Sequence, residues 1–308
     1  MVLYVLLKFN LEQNLVMHNT IISYVQDILN HPLEEIETIE TISHKDFHNT
    51  YTKNNTPIVM TKMIDDWPAM KKWNLDYFET IGKDKQAYIS KGNIRQGDTA
   101  WEFGNFLSYI QEIKDSQTNN SDAYLSNLSI QKLFPEVMDD VDFSLISDFK
   151  KYNSTSFWIG SPGTITGWHT DRLNDNILAQ VYGKKLVFLV SPKDNAKMPL
   201  SDKYEPGSKL CAVSMEEFDE AKHKVFKDAH VKYTVLEPGR TLFIPKNWWH
   251  CVYGIDISIS SNNFGHTAVD HFRMKSVERV KRSLHSLGLY GKNCVCHYYD
   301  DNGKRQKR

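Results

Sequence analysis

Between Phe157 and Ser260 the chain is cut into short apolar runs by glycine and proline, and this punctuation constrains the fold more than any other feature. The runs cover residues 157–159, 177–182, 186–190, 233–236, 241–244, 251–253 and 255–260. Each is long enough for a strand and too short for a helix. Valine, isoleucine and aromatic residues fill them, and turns such as Glu237-Pro-Gly-Arg240 separate them. Short strands at such regular spacing predict an antiparallel sandwich or barrel, so the chain reads as mainly β.

The flanks follow a different period. Ile22, Val25, Ile28 and Leu29 recur at helical spacing, and Ser43-His-Lys-Asp46 carries the pattern of an N-cap opening a short helix. The run 57–61 reads as a buried strand, with a helix near 73–78. The stretch 114–122 is polar enough to read as a loop. After His266, Val269, Phe272, Val277, Val280, Leu284 and Leu287 line one helix face, which must pack on the barrel or on a second copy of the chain. The expected division is a helical extension over 1–41, a main β-rich domain over 42–265, and a C-terminal helix with a basic tail over 266–308.

At 308 residues the chain can bury a large core. Its 37 Lys and Arg balance 38 Asp and Glu, so no overall field recommends nucleic acid or a membrane surface as partner. Cys211, Cys251, Cys294 and Cys296 lack framework spacing, which predicts free thiols in a reducing compartment, cytoplasmic or nuclear. The apolar residues 1–7 are followed by Lys8 with no basic segment before them, so no signal peptide is expected, and no run is long enough for a membrane helix. Cys294-Val-Cys296-His297 resembles half of a zinc site, but no matching ligand pair stands near it in sequence, and it reads as an ordinary tail.

On a strand, residues i and i+2 share a face, so His169 and Asp171 can present an imidazole and a carboxylate to one metal ion. The spacing alone is cheap: a chain with 12 histidines furnishes such a pair by chance, as His44-Lys-Asp46 shows. The surroundings distinguish the second copy. Thr241-Leu-Phe-Ile244 reads as a strand, and Pro245-Lys-Asn-Trp-Trp-His250 as a tight return delivering a third ligand. Two histidines and one carboxylate make a facial triad that leaves three adjacent metal positions open. Trp248 and Trp249 read as core packing.

The segments Trp158-Ile-Gly-Ser-Pro-Gly-Thr-Ile-Thr-Gly-Trp-His169-Thr-Asp171, Gln180-Val-Tyr-Gly-Lys-Lys185 and Pro245-Lys-Asn-Trp-Trp-His250 together resemble a Jumonji-C domain. With Asp66-Trp-Pro68, Tyr124-Leu125 and Phe134-Pro135, the likeness to its small, cupin-like hydroxylase branch spans residues 42–265. That resemblance implies a double-stranded β-helix (jelly roll) with N-terminal α/β elements and a C-terminal helix. It implies Fe(II) on His169, Asp171 and His250, with 2-oxoglutarate and O2 as cosubstrates. Lys185 is implied as the cation for the distal carboxylate of 2-oxoglutarate, Lys184 being the fallback that should point outward. Thr166 is implied as the hydroxyl sharing that carboxylate, and Tyr124, Asn176 and Asn263 as further polar contacts, with Asn262 able to replace Asn263.

The activity implied is hydroxylation of a C–H bond with release of succinate and CO2. A protein or peptide side chain is the first expectation for the substrate; a tRNA base is the second and a histone lysine the third. Many lysine demethylases of this type carry Glu where Asp171 stands, which disfavours the third. A metal-binding cupin acting as scaffold or sensor is the non-enzymatic alternative, and Lys185 beside a complete triad speaks against it. A homodimer through the C-terminal helix is the expected assembly.

Overall fold

A computed structural model of the chain describes residues 14–91, 94–95, 100–119, 123–146, 153–172, 174–291, 293–294, 297–299 and 305–307. Among the described residues seventeen strands fall into three sheets. In chain order they are β1 (Glu34–Glu35), β2 (Thr38–Ile39), β3 (Ile58–Met60), β4 (Gln86–Lys91), β5 (Ala100–Asn105), β6 (Ala123–Ser129), β7 (Asn153–Gly160), β8 (Ile165–Asp171), β9 (Asp175–Tyr182), β10 (Lys185–Val190), β11 (Ser208–Leu210), β12 (Val231–Leu236), β13 (Thr241–Ile244), β14 (Trp249–Gly254), β15 (Ser258–Gly265), β16 (His297–Tyr299) and β17 (Arg305–Lys307). One sheet has the order β1-β12-β10-β14-β8-β11 and the other β2-β3-β13-β9-β15-β7-β6-β4-β5. From β7 to β10, and again from β12 to β15, each successive strand crosses to the opposite sheet. That winding is the double-stranded β-helix, and it places both ends of the 165–254 segment around one interior.

Apolar side chains from both sheets meet between them: Val59, Leu178, Val187, Leu189, Leu242 and Ile244 form one buried cluster with Trp248. The outer face of the larger sheet is covered by helices. Leu75–Gly82 starts at Asn74, whose side chain accepts from the Tyr77 N–H at 2.8 Å, and it buries Leu75 and Phe78. Phe78, Phe134 and Phe157 stack and tilt on one another at centroid distances of 5.3–5.5 Å. The polar stretch expected as a loop from 114 is instead the end of helix Phe106–Asn119. Its apolar Phe106, Ile110 and Ile113 are fully buried, and that packing holds the helix through the polar residues that follow. Ser43 caps helix His44–Phe47 as its sequence requires, with its hydroxyl accepting from the Asp46 N–H.

The extension drawn over 1–41 is not separate among the described residues. Helix Asn14–Ile28 sends Ile21, Val25 and Ile28 into a core shared with Trp168, Phe188 and Trp249. β1 then pairs with β12 and β2 with β3, so this segment edges both sheets. At the other end the expected single helix is two, Ala268–Arg273 and Arg279–Ser286, joined by a π-helical turn. Val269, Phe272, Val277, Val280 and Leu287 are all more than half exposed, so the apolar face does not pack on the barrel. Among the described residues Cys211 and Cys251 are buried thiols outside any disulfide, and Cys296 lies outside the described residues. Among the described residues no helix is long and apolar enough to cross a membrane.

Candidate metal centre

His169 and His250 face each other across β8 and β14, where they are register partners. Their rings lie 3.9 Å apart, and Asp171, two residues along the same strand, brings Oδ2 to 3.6 Å from His250 Nε2. The three donor groups converge within 4.8 Å of one another. A register irregularity between His250 and Val252 interrupts the ladder just beyond this pair. The return before His250 depends on Asn247, which holds φ at 67° and donates its backbone N–H to the Asp171 carbonyl at 3.0 Å. That bond ties the turn to the end of β8, so two ligands are positioned by one local structure.

Both histidines are oriented from behind. Nδ1 of His169 meets the Gly167 carbonyl at 2.8 Å, and Nδ1 of His250 meets the Trp248 carbonyl at 3.1 Å. Each Nδ1–H donates to its carbonyl, which leaves Nε2 as the free lone pair. Burial, then Arg95 and His250, hold the His169 imidazole well below the usual histidine range. His250 is lowered too, chiefly by burial. Neutral imidazole is the form that binds metal. Asp171 is steadied by a relay in which Asn262 donates to Asn176 Oδ1 at 2.7 Å and Asn176 donates to Asp171 Oδ2 at 3.3 Å.

Beside the triad lies a cavity that opens to solvent. Thr166, Tyr124, Lys185, Asn176 and Asn262 line its polar side, and Trp158, Leu178, Val252 and Phe264 its apolar side. Lys185 is buried, donates to Ser260 Oγ at 2.7 Å, and has no carboxylate partner among the described residues. Burial pushes its ammonium down to about 7. Lys184 points outward to Glu237 at 3.0 Å, as alternation along a strand requires. Gly183 makes that alternation possible: it holds φ at 65°, and a Cβ there would stand 2.0 Å from the Ile257 carbonyl oxygen. Tyr124 hydrogen-bonds Thr166, and burial raises its phenol.

The expected Asn263 is corrected: the cavity takes Asn262. Neighbours on β15 face opposite ways, and Asn263 turns away from the cavity to the buried Thr155, donating to Oγ1 at 3.2 Å. Two lining residues carry buried polar atoms with no partner, Trp158 Nε1 and Asn262 Oδ1. A buried ammonium without a carboxylate partner and the unpaired Trp158 N–H fit the carboxylate of a small anion, whereas the Asn262 oxygen calls for a donor. Trp248 and Trp249 pack in the core, as expected, and donate to Asn55 and Asn195.

Arg95 is the site residue that sequence reasoning missed. Ile94 bridges to Thr166 and carries Arg95, at φ 68°, to the cavity wall, where it bonds Glu205 at 3.1 Å. Nothing in its local sequence marks it, because the contact joins segments far apart in the chain. The pair His44 and Asp46 lies on its capped helix, away from this centre.

A model of the cupin-like domain matches residues 44–272. Lysine-specific demethylase 8 of Xenopus tropicalis is 28% identical over 224 residues, covering 70% of this chain and 49% of that protein. HSPB1-associated protein 1 of Homo sapiens is 27% identical over 252 residues, covering 74% and 51%. The tRNA wybutosine-synthesizing protein 5 of Homo sapiens is 28% identical over 249 residues, covering 74% and 77%. The chain thus spans about half the length of the first two of these relatives. With the winding of its sheets, its His-Asp-His centre and these similarities, the chain belongs to the cupin-like, Jumonji-C type family of oxygenases.

Proposed function

We propose that the chain is an Fe(II)- and 2-oxoglutarate-dependent hydroxylase acting on a protein side chain. The observation that carries the reading is Lys185, a buried cation without a carboxylate partner among the described residues, on the cavity shared with His169, Asp171 and His250. An isolated buried charge is costly, and a distal carboxylate of 2-oxoglutarate on Nζ offsets that cost. His169, Asp171 and His250 would hold the metal, leaving adjacent positions open. Bound there, Fe(II) with 2-oxoglutarate supplies oxidation of a C–H bond by O2, the cosubstrate leaving as succinate and CO2.

The chain's own residues bind and orient. Thr166 and Tyr124 stand beside the Lys185 end of the cavity, and the Asn262 to Asn176 relay fixes the Asp171 carboxylate. Leu178, Val252 and Phe264 keep water from the interior. Arg95 adds a guanidinium, paired with Glu205, to the wall that carries the Lys185 ammonium. The test is twofold: 2-oxoglutarate binding to the iron-loaded protein, and succinate formation with candidate peptides, checked by mass spectra for a gain of one oxygen atom. A pure iron-loaded sample that neither binds 2-oxoglutarate nor yields succinate overturns the proposal.

A second reading, hydroxylation of a tRNA base, is favoured by one observation: this chain covers 77% of the relative named for tRNA wybutosine synthesis, against about half of the others quoted. Intact tRNA mass spectra from a deletion strain separate the two. A base lacking one oxygen atom supports the tRNA reading, and an unchanged tRNA pool supports the protein substrate.

A further inference from the structure

Helix Arg279–Ser286 is built the wrong way round for a helix that docks by its apolar side. Val280 and Leu284 are exposed, and the buried side chain of this helix is His285, 4% accessible. The helix ends in a reversal at Gly288, where φ is 72° and the backbone N–H returns to the His285 carbonyl at 2.9 Å. A second tight turn at Gly291 lays the chain on Tyr204, so close that a Cβ at Gly291 would stand 2.6 Å from the Tyr204 side chain. Tyr204 then donates its backbone N–H to Asn293 at 2.9 Å and bridges to Cys294. These steps bring His285, Cys294 and His297 together, with one donor atom from each within 4.8 Å of the others.

We propose that His285, Cys294 and His297 form a zinc site distinct from the catalytic centre, one that closes the C-terminal segment on itself where it packs beside the 202–205 loop. One thiolate and two imidazoles are a donor set that suits zinc, whereas the triad of His169, Asp171 and His250 offers only nitrogen and oxygen. The Cys294 Sγ to His297 Nδ1 distance is 3.5 Å. A tetrahedron built on Zn–S and Zn–N bonds of about 2.3 and 2.0 Å has edges of roughly that length. His285 is already oriented: its Nδ1–H donates to the Tyr290 carbonyl at 2.9 Å, so Nε2 carries the lone pair. The His285 and His297 rings lie 5.1 Å apart, near perpendicular.

The loop beside this site also reaches the cavity. Asp202 accepts from Asn293 at 2.9 Å, and Glu205 holds Arg95 against the cavity wall.

The experiment uses the full, untagged chain. Metal analysis is expected to give one zinc per chain that survives removal of iron. Exchange with Co(II) is expected to produce thiolate-to-cobalt charge-transfer absorption, which the nitrogen and oxygen donors of the catalytic triad cannot give. Cys294→Ser should abolish that absorption, His285→Ala and His297→Ala should each weaken cobalt binding at least tenfold, and Asp171→Ala should leave the absorption intact. Circular dichroism shows whether each variant is folded. Titration of the unaltered protein with Zn(II) against a chromophoric chelator reads the same site without any substitution. Absence of thiolate absorption in the folded wild-type protein, or its persistence in Cys294→Ser, overturns the site.

Discussion

Lys185 and Asp171 act on the same cavity by different physics, and their substitutions separate accordingly. Replacing Asp171 by Ala removes one of three ligands from an open centre, so iron retention and turnover should both be lost while the circular dichroism spectrum stays unchanged. Metal analysis after gel filtration reads this directly. Lys185→Ala should leave iron bound and raise the 2-oxoglutarate requirement by about 10- to 100-fold, the worth of a lost charge-assisted hydrogen bond. The pH behaviour follows from the same lysine. Its folded value is lowered from 10.5 to about 7, so below pH 7 it is charged and its burial costs stability, a cost relieved as pH rises toward 10.5. Cosubstrate binding needs the charged form. Affinity for 2-oxoglutarate should therefore fall as pH rises above 7, approaching about tenfold per unit. Lys185→Met should remove that slope, and should also raise the melting temperature of the cosubstrate-free protein at pH 6. An unchanged slope in Lys185→Met would assign the pH dependence to another group.

Among elements, the turn before β10 and the return before β14 set the site's geometry. Gly183 sits at positive φ against the Ile257 carbonyl, so Gly183→Ala should destabilise the fold by roughly 3 kcal/mol or more, the strain of a left-handed residue plus a backbone clash. Urea titration measures it. A loss below about 1 kcal/mol would mean that the turn relaxes and does not pin the register of Lys185. Asn247 is the corresponding residue of the return, and there glycine should be tolerated where valine is not. The helix Phe106–Asn119 illustrates the opposite lesson. Its last residues carry no helical signal of their own, and buried packing of Phe106, Ile110 and Ile113 decides their conformation.

At the scale of the molecule, the C-terminal helices present an exposed apolar face. Val269, Phe272, Val277, Val280 and Leu287 point to solvent, and we propose that a second copy of the chain covers them, since a two-fold axis sets such a face against itself. Light scattering should give twice the chain's 35.8 kDa, and the double variant Val280→Glu with Leu287→Glu a single chain. A wild-type protein that runs as one chain at tens of micromolar removes the dimer. The two C-terminal devices are separable, because His285 faces inward and these side chains face outward.

The sequence by itself determined what periodicity and short-range turn chemistry encode. Strands β7, β9, β10 and β12 to β15 follow from short apolar runs cut by turns, and the outward turn of Lys184 against the inward turn of Lys185 and the shared face of His169 and Asp171 follow from alternation along a strand. Only the tertiary structure decided which distant segments meet. It chose Asn262 over Asn263, because a strand shows one face to the cavity; it brought Arg95 to a wall whose other residues lie far along the chain. It also merged residues 14–39 into the barrel, and set His285 beside Cys294 and His297. Contacts of that kind depend on how whole elements pack, and local sequence carries no period or turn signal for them.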